Sequence, residues 1–203
     1  MSAQVPSPPS GASSRPVHVV PVDLGKAYRL INHGPTVLVS AAHGDRRNVM
    51  AAAWNMPLDF SPPKVAVVID RKTFTRELIE ASGEFALCVP TRAQIEAVCL
   101  VGSASGREQD KFTEAGLSTF AGSQTSAPLV EGCVAWLECR VLDEPEMAQR
   151  YDLFLAEVVA AWADERLFDG GRWREIDPAH STLHHVAGGV FFTQGEVVQA
   201  ARP

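Results

Sequence analysis

The sequence predicts a mainly β protein, an antiparallel barrel with a few short helices attached. Two observations carry this. Apolar stretches of strand length outnumber helix-period stretches by about two to one, and the helical ones are short. No Gly-x-Gly-x-x-Gly follows a strand, and so few helices cannot cover both faces of a doubly wound parallel sheet.

Residues 1–16 are rich in Pro, Ser, Ala and Gly and read as a disordered leader to a single domain over 17–203. Val17–Val22 alternates and suits an entry strand. Apolar spacing over Leu24–Asn32 predicts a short helix, stopped by His33-Gly34-Pro35. Thr36–Ala42 is a β-branched strand ending in the turn His43-Gly44-Asp45. Asn48–Trp54 and Lys64–Asp70 follow as extended runs, with Ser61-Pro62-Pro63 before the second. Val65–Ile69 is almost continuously apolar, as expected of a strand buried on both faces. Thr75–Ala81 has helical spacing with a stop at Gly83. Glu84–Val89 is a strand, and Ala93–Val101 a second helix running into the small-residue turn Gly102–Gly106. Asp110–Ala115 makes one or two helical turns. Cys133–Leu142 and Tyr151–Ala163 are long strands joined by a hairpin loop at Asp143–Gln149. The second is read as a strand, not a helix, because Val158-Val159 is β-branched and because Phe154, Ala156 and Val158 alternate with Glu157. Arg166–Pro178 is irregular, and Val190–Thr193 closes the chain as a short strand after Gly188-Gly189.

The 203 residues are 46% hydrophobic and 21% charged, ordinary for a globular chain with a sizeable core. A net charge of −6 argues against nucleic acid or an anionic membrane surface as the general partner. No apolar run approaches the 18 or so residues of a spanning helix, and no secretory signal pattern opens the chain. A cytoplasmic protein is expected. The four cysteines (Cys88, Cys99, Cys133, Cys139) lack zinc or redox spacing and read as buried thiols.

Chemistry concentrates between Asp45 and Glu77. Ala51, Ala52 and Ala53 allow a flat ligand to lie against backbone, with Trp54 to fence it. Arg71, Lys72, Thr73, Thr75 and Arg76 gather cations and hydroxyls at a helix start, where a phosphate is favoured. The plain alternative is a capped, solvated helix start with Thr73 or Thr75 as N-cap. Cations there oppose the helix dipole by a few tenths of a kcal/mol each, which a bound anion reverses. Asn48 is either a turn residue or a reader of a ring edge. Lys111 beside Asp110 is either an exposed ion pair or a charge facing a ligand. His184 and His185 point to opposite faces of a strand, so they suit no shared metal, and no metal site is expected. Arg46-Arg47 reads as an exposed loop pair, with a nucleotide phosphate as the alternative.

The ordered landmarks Gly34-Pro35, Asn48–Trp54, Ser61-Pro62-Pro63, Arg71–Thr75, Gly83-Glu84-Phe85, Ser105-Gly106, Asp110-Lys111-Phe112 and Leu183-His184-His185 with Gly188-Gly189 resemble the flavin reductase-like, FMN-binding split-barrel family, especially its flavoredoxin-type branch. The resemblance covers roughly residues 24–195. It implies a six-stranded, antiparallel Greek-key split barrel that forms a homodimer, with FMN near the subunit interface. It implies that Asn48, Met50, Ala51, Ala52, Ala53 and Trp54 line the flavin. It further implies that Arg71, Lys72, Thr73, Phe74 and Thr75 hold its phosphate, with Lys111, His184 and His185 as candidates for contact with the reacting rings. Ala51 and Ala52 stand where family members often carry a hydroxyl. The activity implied is hydride transfer from NAD(P)H to flavin and electron delivery to an acceptor such as a monooxygenase. A flavoredoxin-like carrier without an NAD(P)H site, and a non-enzymatic flavin-binding module, remain open alternatives.

Overall fold

The computed structural model describes residues 14–174 and 177–201, so most of the expected leader lies outside the described residues. Strand β1 (Val19–Pro21) leads through a 3-10 helix (Leu24–Leu30) to the hairpin of β2 (Val37–His43) and β3 (Arg46–Ala52). A second hairpin follows, β4 (Asn55–Phe60) and β5 (Pro63–Val68). Helix α1 (Phe74–Ser82) carries the chain to β6 (Glu84–Val89). Then come α2 (Ile95–Ser103), α3 (Lys111–Glu114), the two-residue strands β7 (Thr119–Phe120) and β8 (Leu129–Val130), and β9 (Ala135–Val141). Helix α4 (Pro145–Tyr151) links β9 to β10 (Leu153–Asp164). The tail adds β11 (Phe168–Asp169), β12 (Arg172–Trp173) and the hairpin β13 (Leu183–Ala187) with β14 (Val190–Thr193).

The main sheet has eight strands, in the order β3-β2-β6-β9-β10-β5-β4, with β1 on β10. Every pairing is antiparallel. The path does not close: β3 and β4 are its two ends, although only Ala53 and Trp54 separate them in sequence. The sheet is open, as a split barrel requires, and it has eight strands where the resemblance implied six. Strand β10 accounts for one of the two added members, β1, because its 12 residues pair with β5 over 153–157 and with β1 over 162–164 on one edge. A bulge between Val158 and Ala160 bends it between the two.

Two apolar cores flank this sheet, which is why its strands read as unbroken hydrophobic runs. Val37, Val39, Phe85, Leu87, Leu137, Phe154 and Val158 point into the barrel beside Leu78 and Ile79 of α1. Leu38, Ala86, Cys88 and Trp136 point the other way, under Val98 and Val101 of α2 and Phe112 of α3. Gly83 takes the left-handed conformation (φ 71°) that ends α1, and its N–H donates to the Ile79 carbonyl. Three expectations are corrected. Asp143–Gln149 holds most of a helix, α4, which starts at Pro145, where the missing N–H costs nothing. Asn55–Phe60, which carried no assignment, is strand β4; Pro57 is tolerated because β4 is an edge. The 24–32 helix is a 3-10 helix. All four cysteines are free; three are buried and Cys99 is half-buried.

Candidate functional site

The turn from β5 into α1 is built by its own polar groups. The Asp70 carboxylate accepts from the Lys72 N–H at 2.7 Å, and the Thr73 hydroxyl donates to the Asp70 carbonyl at 2.8 Å. Thr73 is the N-cap, its Oγ1 accepting from the Arg76 N–H at 3.4 Å. The first turn of α1 therefore faces a cleft of about 220 Å3 with Lys72, Thr73, Phe74 and Thr75 on one wall. The opposite wall is the small-residue turn Gly102–Gly106 with Arg107, and Asn48, Met50 and Lys111 complete it. Asn48 is 3% exposed, and its Nδ2 donates to Thr75 Oγ1 at 2.9 Å. Arg107 donates to the Lys72 carbonyl at 2.8 Å and pairs with Glu77, bracing this end.

Lys111 is 4% exposed, not the solvated ion pair its neighbour Asp110 suggested. Its ammonium donates to the carbonyls of Val101 (2.7 Å) and Ala104 (3.2 Å), where α2 ends. Burial pushes its pKa down to about 8, since no carboxylate offsets the loss of water.

A second cleft, of about 270 Å3, adjoins the first and shares Gly102 and Ser103 with it. Ala51, Ala52 and Ala53 form its floor, and His185, Gly188, Gly189 and Phe191 of the β13–β14 hairpin its far wall. A Cβ on Gly102 would lie 3.4 Å from the Ala51 methyl, so α2 and β3 approach closely here. His185 is held by its backbone N–H on Thr36 Oγ1 (3.0 Å) and its ring Nε2 against the Gly188 carbonyl (3.0 Å).

The alanine run and the helix start, separate in sequence, thus line two adjoining clefts that meet at Gly102 and Ser103 and together make up the groove. Four expected residues do not join them, the first being Arg76, whose guanidinium is buried on Asp152 and Glu80. Trp54 is 74% exposed and lines neither cleft. Arg71 turns away, its guanidinium on the Asp152 carboxylate (3.2 Å) and the Gln149 carbonyl (3.1 Å). His184 points from the opposite face of its strand to the Gly34 carbonyl and Thr182. Arg107 takes the place expected of Arg71. Its signal was a cation directly after a small-residue turn between two helical stretches. Among the described residues no group of three or more His, Cys, Asp or Glu is placed to hold a metal ion.

Residues 28–193 match the flavin reductase like domain. The chain belongs to this flavin reductase-like family. It is 47% identical over 184 residues to the uncharacterised Escherichia coli K12 protein YddH, covering 89% of this chain and 97% of that one. The solved FMN-binding domain of a flavin reductases-like enzyme from Shewanella baltica OS155 superposes with a TM-score of 0.86. The two are 48% identical, with 90% of this chain and 97% of that one covered. The flavoredoxin of Desulfovibrio vulgaris (Miyazaki F) superposes at 0.70 with 27% identity, over 83% and 90% of the two chains. Among sequence relatives, the reductase subunit HsaB of a flavin-dependent monooxygenase from Mycobacterium tuberculosis is 28% identical over 153 residues, 73% of this chain and 79% of that one. The split-barrel architecture of this flavin reductase-like family is thus the fold of this chain.

Proposed function

We propose that the groove holds FMN and that the protein is an oxidoreductase drawing electrons from NAD(P)H for delivery to a protein acceptor. One observation carries the reading. A single groove offers hydroxyls, cations and a helix start at one end and a floor of alanines and glycines at the other. The residues present fit FMN: Thr73, Thr75, Lys72, Arg107 and Lys111 suit its phosphate, and Ala51–Ala53 leave backbone open to a flat ring. The 48% identical Shewanella structure, described as FMN-binding, supports this. A bound flavin accepts a hydride and passes electrons onward. The chain's own contribution is to orient the ring along β3, to bring the Lys111 charge to its anionic end, and to exclude water beneath the β13–β14 hairpin. His185, on the hairpin wall, is the proposed contact for a second ring entering over the first.

The HsaB relationship favours a monooxygenase as the acceptor. The flavoredoxin likeness favours a second reading, an electron carrier with no NAD(P)H site. Anaerobic mixing of the FMN-loaded protein with NADH and with NADPH separates them. Rapid bleaching of the flavin absorbance is expected; bleaching by a reduced protein alone would make it a carrier, and no FMN uptake at all would end both readings. We further propose a homodimer, supported by the exposed apolar row of Trp54, Met56, Leu58 and Phe60 along β4 and just before it.

A further inference from the structure

Thr36 stands just before β2 and lines the cleft floored by the alanines. It is 3% exposed. Its backbone N–H donates to the Leu183 carbonyl at 2.7 Å, and the next residue, Val37, pairs with Ala52. Its Oγ1 accepts the His185 N–H at 3.0 Å. The hydroxyl still has its own proton to place, and among the described residues no acceptor takes it. Leaving a buried donor unpaired costs free energy, which an acceptor on a ligand restores. His185 carries the complement. A carbonyl can only accept, so the 3.0 Å contact to Gly188 puts the proton of the neutral imidazole on Nε2 and leaves a lone pair on Nδ1. Phe191, with its ring centroid 5.2 Å away, packs edge-on against the imidazole. The other side chains with a polar hydrogen in this cleft are engaged or weak. Ser103 donates back to the Cys99 carbonyl at 2.8 Å, and Cys99 offers only a thiol.

We propose that Thr36 and His185 together read an amide edge, and so set which way round a ring lies in the cleft. The hydroxyl donates to the amide's carbonyl oxygen, and Nδ1 accepts from its N–H. The inference rests on the reading of the groove as a flavin site. Two rings of that reading carry such an edge: the pyrimidine of the flavin, and a nicotinamide through its carboxamide. Neither residue is asked to move a proton; both choose the ring and its orientation.

The test is calorimetric titration of the full chain as wild type, Thr36→Val, Thr36→Ser and His185→Phe, with melting temperatures as a folding control. One arm compares FMN with two analogues, one with sulfur for the pyrimidine carbonyl oxygen and one methylated on the imide nitrogen. The other arm, on the FMN-loaded protein, compares NAD+ and NADP+ with their thionicotinamide and acetylpyridine analogues. In one arm the wild type is expected to prefer the parent over each analogue by about tenfold. Thr36→Val should cut the preference over the sulfur analogue to less than about twofold, and His185→Phe the preference over the analogue without the N–H. Thr36→Ser should restore the first. This pattern among the flavins assigns the edge to the pyrimidine, and among the dinucleotides to the carboxamide. Variants that weaken parent and analogues equally give Thr36 and His185 a purely structural role and overturn the proposal, as does a wild type without preference in either arm. Both results leave the groove's reading intact. If FMN does not bind the wild type, that reading falls and this inference with it.

Discussion

At Gly106 the chain passes so close to Asn48 that an added Cβ would lie 2.1 Å from the amide oxygen and 2.5 Å from its carbon. Asn48 cannot step aside without releasing Thr75, so Gly106→Ala is expected to loosen the phosphate end of the groove. Stability should fall by about 1–3 kcal/mol, as for overpacked sites, and FMN affinity by roughly tenfold or more, equivalent to the loss of one charge-assisted hydrogen bond. Gly195→Ala, which meets nothing within 4 Å and lines neither cleft, is the control in the same titration and melting experiments. Lys111 couples anion binding to a proton. With the side chain at about 8, an anion bound beside it favours the ammonium, so binding above that pH must take up a proton. FMN affinity should hold below about pH 8 and then fall by up to about tenfold per pH unit. Lys111→Met should flatten that profile, and an unchanged slope would remove Lys111 from the site. For folding, the lowered value means the buried charge opposes the native state at neutral pH. That opposition is relieved as pH rises from about 8 toward the ordinary 10.5. The identity of the hydroxyls at the helix start was legible in the sequence, since Thr73 and Thr75 sit at cap and first-turn positions. Which cation turned inward was not: Arg71 is claimed by Asp152, 81 residues later.

Helix α1 places the site, and Arg76 places α1. Its guanidinium is 7% exposed. It reaches the Asp152 carboxylate (2.6 Å), Glu80 (2.7 Å), the Ala148 carbonyl (2.9 Å) and the Ile69 carbonyl (3.2 Å). One side chain thus ties the start of α1 to the end of β5, to α4 and to the start of β10. Arg76→Met leaves these acceptors unpaired and should cost about 2–4 kcal/mol, a drop in Tm of roughly 5–15 °C at 2–4 °C per kcal/mol. Arg71→Ala, whose contacts are exposed, should cost under about 1 kcal/mol; equal effects in calorimetry would refute the distinction. The elements most legible in the sequence are those with a periodic apolar face. The alternation of Phe154, Ala156 and Val158 identified β10 as a strand despite its alanines, and all three are buried. Helix α4 was illegible because none of its residues is buried and no side chain caps its start. It is held by Arg76 from outside. Strand β4 was missed for a related reason: its apolar residues point to solvent.

That outward row is a property of the whole molecule. Trp54, Met56, Leu58 and Phe60 are 74%, 54%, 46% and 65% exposed, a contiguous apolar stripe at one free end of the sheet. A monomer rarely leaves such a stripe to water. The edge itself is guarded against strand addition. Pro57 removes a donor, and Asp59, paired with Lys64 at 2.8 Å, places charge there. Association by extending the sheet is therefore disfavoured, and association through the side-chain face is what remains, in keeping with a second copy presenting the same stripe across a two-fold axis. The stripe begins one residue after Ala53, which lines the ring end of the groove. Assembly and flavin binding should consequently be linked. Sedimentation is expected to give a dimer for the wild type and a monomer for Trp54→Glu combined with Phe60→Glu. Neither side chain contributes to the core, so the isolated subunit should keep its strand content by circular dichroism. FMN should bind the monomer at least several-fold more weakly, and FMN should raise the dimer's Tm in a manner that depends on protein concentration. A wild-type monomer at tens of micromolar, or a double variant that still dimerises, would show that this stripe faces something other than its own copy.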